Sequence, residues 1–202
     1  MIAPPAGLLL AAGAGRRMGR PKALVELDGT PLVRRAVAAL AEGGCDPLHV
    51  VVGARAGEVA AVVGDDALVV TAADWASGMG ASLRAGLAAL AELPDARSVV
   101  VHLVDLPGVN AAAIARLAAA ATGPDVLARA GYQGEPGHPV LMGRSHWAAV
   151  RAGAAGDEGA RSYLAGHAGL VLVECGDLAD PRDVDTPEAL DAFRAGAGDI
   201  NR

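Results

Sequence analysis

The sequence predicts an α/β fold, a single domain with a mostly parallel sheet sandwiched in three layers between helices on both faces. Two observations carry this expectation. Largely apolar runs at residues 7–12, 48–52 and 99–104, the last two each interrupted by a single histidine, have the character of strands buried on both sides. Between them lie segments whose apolar residues recur every three or four positions, the helical spacing, so strands and helices alternate.

The elements follow in order. The first strand, 7–12, breaks into a glycine-rich loop holding Gly13, Gly15 and Gly19 with Arg16, Arg17, Arg20 and Lys22. Asp28-Gly29-Thr30-Pro31 reads as a turn into a helix, with Thr30 as N-cap and Pro31 in the first position. Leu32, Val33, Ala36, Val37 and Leu40 then keep helical spacing as far as Gly43-Gly44. A strand at 48–52 stops at Gly53, and a short helix at 58–63 and a strand at 68–71 follow. The loop 73–80 leads into a helix carrying Ser82, Leu83, Leu87 and Leu90, and the strand 99–104 ends on Asp105-Leu106-Pro107. An alanine-rich helix at 111–121, a strand at 126–130, a glycine-rich loop at 132–137 and a strand at 139–142 come next. Helical segments at 146–151 and 160–164 precede a last strand, 170–174. Thr186-Pro187 then starts a final helix within a domain expected to span 1–195, before a frayed tail at 196–202.

Composition narrows the function. The chain is 52% apolar but only 2% aromatic, so its core is built from Val, Leu and Ala. A net charge of −6 argues against nucleic acid as the partner and makes the arginine cluster at 16–20 a local site for a small anion. Cys45 and Cys175 stand alone, which suits a reducing cytoplasm without disulfides, and no H-x-x-H or paired-cysteine pattern supports zinc. The apolar start ends at Arg16, too short to span a bilayer, and lacks a basic leader, so a cytoplasmic protein with no membrane segment is expected.

The first loop is the sharpest functional signal. Glycines let backbone N–H groups approach an anion, and guanidinium and ammonium groups suit phosphate oxygens. Two common phosphate loops do not fit. No Gly-Lys pair supplies a Walker A loop, and Gly13-x-Gly15 is followed by Met18 where a dinucleotide fingerprint needs its third glycine. Asp105, at the carboxyl end of a buried strand, is placed where a ligand of an α/β sheet binds, and a carboxylate there can hold Mg²⁺ beside phosphates. Asp183 and Asp185 offer a second carboxylate. Their Asp-x-Asp-Thr-Pro-Glu setting also reads as a helix-capping box. His102, in mid-strand, reads as a satisfied core histidine, whereas His138 between Gly137 and Pro139 is a candidate ligand-binding residue.

Leu10-Ala11-Ala12-Gly13-Ala14-Gly15-Arg16-Arg17-Met18-Gly19-Arg20-Pro21-Lys22 resembles the L-A-x-G-x-x-x-R-M-G-x-x-K signature of the MobA-like nucleotidyltransferases. The Leu-x-Asp-x-Pro at Asp105, the Asp-x-Asp-Thr-Pro-Glu and the His138-Pro139-Val140 segments extend the resemblance over nearly the whole chain. The loop Trp75-Ala76-Ser77-Gly78-Met79-Gly80-Ala81-Ser82-Leu83 follows the family's W-x-x-G-M-x-S-S-L, with Ala81 replacing the first serine. The resemblance is strongest to the molybdenum cofactor cytidylyltransferases. It implies a Rossmann-like sheet with one antiparallel strand, supplied by 139–142. It further implies transfer of a nucleotidyl group from an NTP to molybdopterin cofactor, with Mg²⁺ as cofactor and a molybdoenzyme or its maturation chaperone as protein partner. Leu10, Ala11, Ala12, Gly13, Gly15, Arg17, Lys22, Gly78 and Ser82 would bind the nucleotide, with Arg17, Lys22 and Asp105 catalytic. Asp105 and Asp185 would hold the metal, and His138 the acceptor. In this family alanine at the third residue of L-A-x-G goes with cytosine and glycine with guanine, so Ala12 makes CTP the expected donor, with guanylyl transfer from GTP as the alternative. Two other classes remain open. One is an NAD(P)H-dependent oxidoreductase, an assignment some family members carry, with Arg55 facing a 2′-phosphate. The other is a non-catalytic nucleotide-binding protein or cofactor chaperone.

Overall fold

The computed structural model describes residues 3–197. Its strands are β1 (Ala6–Leu10), β2 (Glu26–Leu27), β3 (Thr30–Pro31), β4 (Leu48–Val52), β5 (Leu68–Thr71), β6 (Ser98–Leu103), β7 (Leu127–Tyr132), β8 (Glu135–Gly143) and β9 (Val171–Glu174). The helices are α1 (Leu32–Glu42), α2 (Ala56–Val63), α3 (Met79–Ala91), α4 (Ala111–Ala118), α5 (Arg144–Gly153), α6 (Arg161–Ala165) and α7 (Pro187–Ala197). The tail expected from 196 lies, from 198 onward, outside the described residues.

Seven strands form one sheet in the order β5-β4-β1-β6-β8-β7-β9. β8 is the reversed strand, antiparallel to both β6 and β7, and the other pairings in this sheet are parallel. This bears out the expected α/β class and the single antiparallel strand. Alternation along β1 explains the layers. Leu9 joins Val50, Val100 and the buried faces of α1, α2, α4 and α7 in one core, while Leu8 and Leu10 join Val51, Val99, Val101 and α3, α5 and α6 in the other. Both cores are mainly aliphatic, with Tyr132 and Phe193 in the first and Trp147 in the second, in keeping with the low aromatic content.

The chain leaves β1 for β4 and β5 on one side, then crosses through α3 to β6 on the other side of β1. A crevice therefore opens beyond the carboxyl ends of β1 and β6, at the point where the winding reverses.

Two local expectations are corrected. Thr30 is not the N-cap of α1. Asp28 and Gly29 have φ of 53° and 76°, a two-residue hairpin turn that pairs Leu27 with Thr30, and α1 starts at Leu32 without a side-chain cap. Residues 132–137 are likewise no open loop. β7 continues through Tyr132, Gln133 and Gly134 turn with φ of 56° and 84°, and β8 resumes at Glu135. The Glu174 carboxylate fastens that turn by accepting the Gln133 and Gly134 N–H groups at 2.9 and 3.1 Å. Thr186 does cap α7, its Oγ1 accepting the Ala189 N–H at 3.2 Å.

Candidate active site

The crevice is a cleft of about 440 Å³. One wall is the loop after β1, represented by Ala12, Gly13, Gly15, Arg17 and Lys22. The facing wall is Gly78, Met79 and Ser82 at the start of α3, and Asp105 and Asp185 close the floor. The loop's shape depends on Gly15. Its φ is +60°, and a Cβ there would lie 1.9 Å from the Arg20 carbonyl oxygen, so the loop folds back on itself only with glycine. That fold brings Arg17 and Lys22 onto the same cleft.

Asp105 lies two residues beyond the end of β6. Its backbone carbonyl accepts the Val184 N–H at 2.8 Å, which ties the segment before α7 to the end of β6. Val184 is fully buried by this contact, so Asp185 lines the cleft while Asp183 is exposed outside it. A buried valine thus places Asp185 on the cleft and Asp183 outside it, a separation that sequence spacing did not reveal. Lys22 Nζ donates to Asp105 Oδ2 at 2.7 Å and also to Asp185 Oδ1, and Arg17 donates to Asp185 Oδ2 at 2.5 Å. These four charged groups, far apart in the chain, form one cluster.

Among the described residues, no group of three or more His, Cys, Asp or Glu gathers as a metal cage. The Asp105–Asp185 pair nevertheless suits a hard cation such as Mg²⁺, which accepts oxygen donors, keeps waters and shares the rest of its shell with phosphates. The N-terminal end of α3 faces the same space and adds positive electrostatic potential toward an anion. Trp75 packs over Gly53, where a Cβ would meet its ring at 2.5 Å, and also borders the cleft.

Two expected residues stand apart. Ala11 turns into the opposite core and gives its N–H to the Val51 carbonyl at 2.9 Å, so it supports the loop without bordering the cleft. His138 lines a second cavity of about 190 Å³ behind Leu10 and Met79, which border both spaces. Its Nδ1 has no well-formed hydrogen bond among the described residues. Burial, aided by the Arg129 guanidinium, lowers its pKa to about 4, although the Val101 backbone pulls the other way. The imidazole is therefore neutral near pH 7. Arg129 donates to the Gly137 carbonyl through Nε and Nη2 at 3.1 and 3.0 Å, and Arg161 and Glu158 complete the polar rim. His102 is buried as expected but not satisfied, since its Nδ1 also has no partner among the described residues.

Sequence reading missed Asp157, Glu158 and Arg161. Asp157 and Glu158 sit on a turn between α5 and α6, where Gly156 and Gly159 adopt φ of 48° and 56°, and Arg161 opens α6. Asp157 faces the cleft and the other two the second cavity. The signal available was an acidic pair flanked by glycines. Arg55, the residue proposed for a 2′-phosphate, is exposed, paired with Glu58, and does not border the cleft.

Comparison with known proteins agrees with this geometry. The MobA-like NTP transferase domain matches residues 7–171. A protein of Paenarthrobacter nicotinovorans named nicotine blue oxidoreductase is 37% identical over 194 residues, covering 91% of this chain and 93% of its own. The molybdenum cofactor guanylyltransferase of Rhodobacter capsulatus is 32% identical over 209 residues, covering 92% of each. The crystal structure of Rv0371C in complex with manganese, from Mycobacterium tuberculosis H37Rv, is 26% identical, covers 95% of this chain and 98% of its own, and superposes with a TM-score of 0.76. From the matched length, the loop signature and the sheet that presents it, the chain belongs to the MobA-like NTP transferase family.

Proposed function

We propose that the chain transfers a nucleotidyl group from an NTP to a phosphate monoester, with molybdopterin cofactor as the acceptor. The supporting observation is the cleft itself, where a glycine loop, two cations and two carboxylates converge at the switch point of the sheet. An acceptor phosphate oxygen attacks the α-phosphorus, a new P–O bond forms, and the bond to the departing pyrophosphate breaks. Such a reaction asks the protein for positioning and charge neutralisation. The N–H groups of Gly13 and Gly15 cradle the β- and γ-phosphates, with Leu10, Ala12, Gly78 and Ser82 shaping the rest of the nucleotide site. Arg17 neutralises the triphosphate, and Lys22 supports the α-phosphate as charge builds. Asp105 and Asp185 hold the divalent metal, which supplies further neutralisation of phosphate oxygens when bound. Manganese in a mycobacterial relative supports a divalent ion here. Neutral His138, with Arg129 and Arg161, offers both hydrogen-bond donors and an acceptor to the ring of the acceptor molecule in the adjoining cavity.

Ala12 borders the cleft, and by resemblance it favours CTP; the Rhodobacter relative's name favours GTP. Pyrophosphate release is therefore assayed with each of the four NTPs and Mg²⁺, with and without molybdenum cofactor. Release that depends on both cofactor and NTP is the expected result, with GTP and CTP competing as donors. A second reading, hydride transfer from NAD(P)H, is favoured by the name of the Paenarthrobacter relative. It predicts cofactor oxidation without pyrophosphate release, and NADPH consumption in the same preparation distinguishes it. Absence of both activities leaves a nucleotide-binding protein without turnover.

A further inference from the structure

Lysine and arginine together number 17, and Lys22 is the only lysine in the chain. It is also the residue that bonds to both candidate metal carboxylates, at 2.7 Å to Asp105 and by a shorter contact to Asp185. All three side chains are about one-fifth exposed, so water screens them only in part. With Arg17 on the far oxygen of Asp185, two cations neutralise two carboxylates and the cluster is balanced as it stands. A divalent ion placed on the same oxygens would meet an ammonium at contact distance. The residue type matters, because an ammonium is a compact point charge that can stand between two carboxylates, whereas a guanidinium is a planar fork.

We propose that Lys22 occupies the seat of the divalent metal in the nucleotide-free protein, so that the ion must compete with it there until a triphosphate draws Lys22 away. The anionic oxygens of the triphosphate give Lys22 and Arg17 new partners, the carboxylates become free, and the metal enters more readily with the nucleotide than before it. Lys22 thereby biases the order of addition as well as acting on the α-phosphate. The identity of the displacing anion rests on the transferase reading, while the seat rests on the ion pairs.

The test uses Mn²⁺ alone, without nucleotide or turnover. Calorimetry on the full chain should show Mn²⁺ binding Lys22→Met about ten-fold or more tightly than wild type, the factor that removing roughly 1.4 kcal/mol of charge repulsion gives. Adding Asp185→Asn to Lys22→Met should abolish that gain. A second measurement avoids any variant. As the sole lysine, Lys22 is read separately from the N-terminal amine by acylation and peptide mass spectrometry, and its acylation rate in wild type should rise several-fold as Mn²⁺ saturates. Equal Mn²⁺ affinity in wild type and a folded Lys22→Met, or Lys22 acylation unchanged at saturating Mn²⁺, overturns the proposal. Either result leaves the transferase reading standing. Conversely, a failed pyrophosphate assay leaves these metal measurements valid.

Discussion

Asp105 shows how one residue can serve structure and chemistry through different atoms. Its backbone carbonyl holds Val184, while its carboxylate faces the cleft and Lys22. Asp105→Asn keeps the backbone bond and nearly the same volume, so the thermal midpoint should change little. Turnover with NTP and acceptor should fall by roughly 100-fold or more, the several kcal/mol that a metal-held charge contributes to a phosphoryl transition state. Near-wild-type turnover at low Mg²⁺ would remove Asp105 from the metal site. At this scale, Arg17, Lys22 and Asp105 were legible because glycine loops and strand ends have recognisable spacing. Asp157 and Glu158 were not, because a turn between two helices carries no periodic signal.

The elements that form the cleft depend on close approach. α3 lies on β1 and β4 through Gly86, where a Cβ would stand 2.6 Å from Leu8 Cδ1 and 2.9 Å from Val51 Cγ2. Gly86→Val should therefore cost about 1–3 kcal/mol through overpacking, more than the modest gain in helix propensity returns. It should also push the start of α3 away from the loop after β1 and raise the KM for NTP. Urea unfolding and steady-state kinetics on the same variant check both halves. Unchanged stability would mean that α3 has room against the sheet. Element types were readable from apolar periodicity, but Thr30 and residues 132–137 were misread for a common reason. Asp28-Gly29 and Gln133-Gly134 are two-residue hairpin turns, and pairing across them uses backbone groups that a helix-start or loop reading leaves idle.

For the whole molecule, the central sheet sets a dependence of stability on pH. His102 lies in β6 at 1% exposure, and burial, joined by nearby His138 and opposed by Asp105, lowers its pKa to about 3. Its folded pKa lies below its unfolded value of about 6.5, so the unfolded chain binds the extra proton first. This contribution to stability is complete above pH 6.5 and is lost as pH falls toward 3, with a slope of up to about 1.4 kcal/mol per pH unit. His102→Leu should flatten the slope of unfolding free energy between pH 6 and 4 relative to wild type, measured by urea denaturation across that range. Parallel slopes in the two proteins would show that His102 carries a proton in the folded state. No helix among the described residues is long and apolar enough to cross a membrane.

Through its family resemblance the sequence implied the reversed strand; by itself it determined the α/β class, the alternation of elements and the glycine loop with its cations. These rest on local physics: apolar runs buried on two faces, helical spacing, and glycines beside cations. Only the tertiary structure set Asp185 apart from Asp183, because burial of Val184 against the Asp105 backbone aims one carboxylate inward and leaves the other outside. It alone joined Lys22 to residues 83 and 163 positions away, since side-chain charges meet across a cleft only after β1 and β6 have been laid side by side. It also separated His138 from the nucleotide cleft into a cavity of its own, a distinction of depth within the sheet that no one-dimensional spacing encodes.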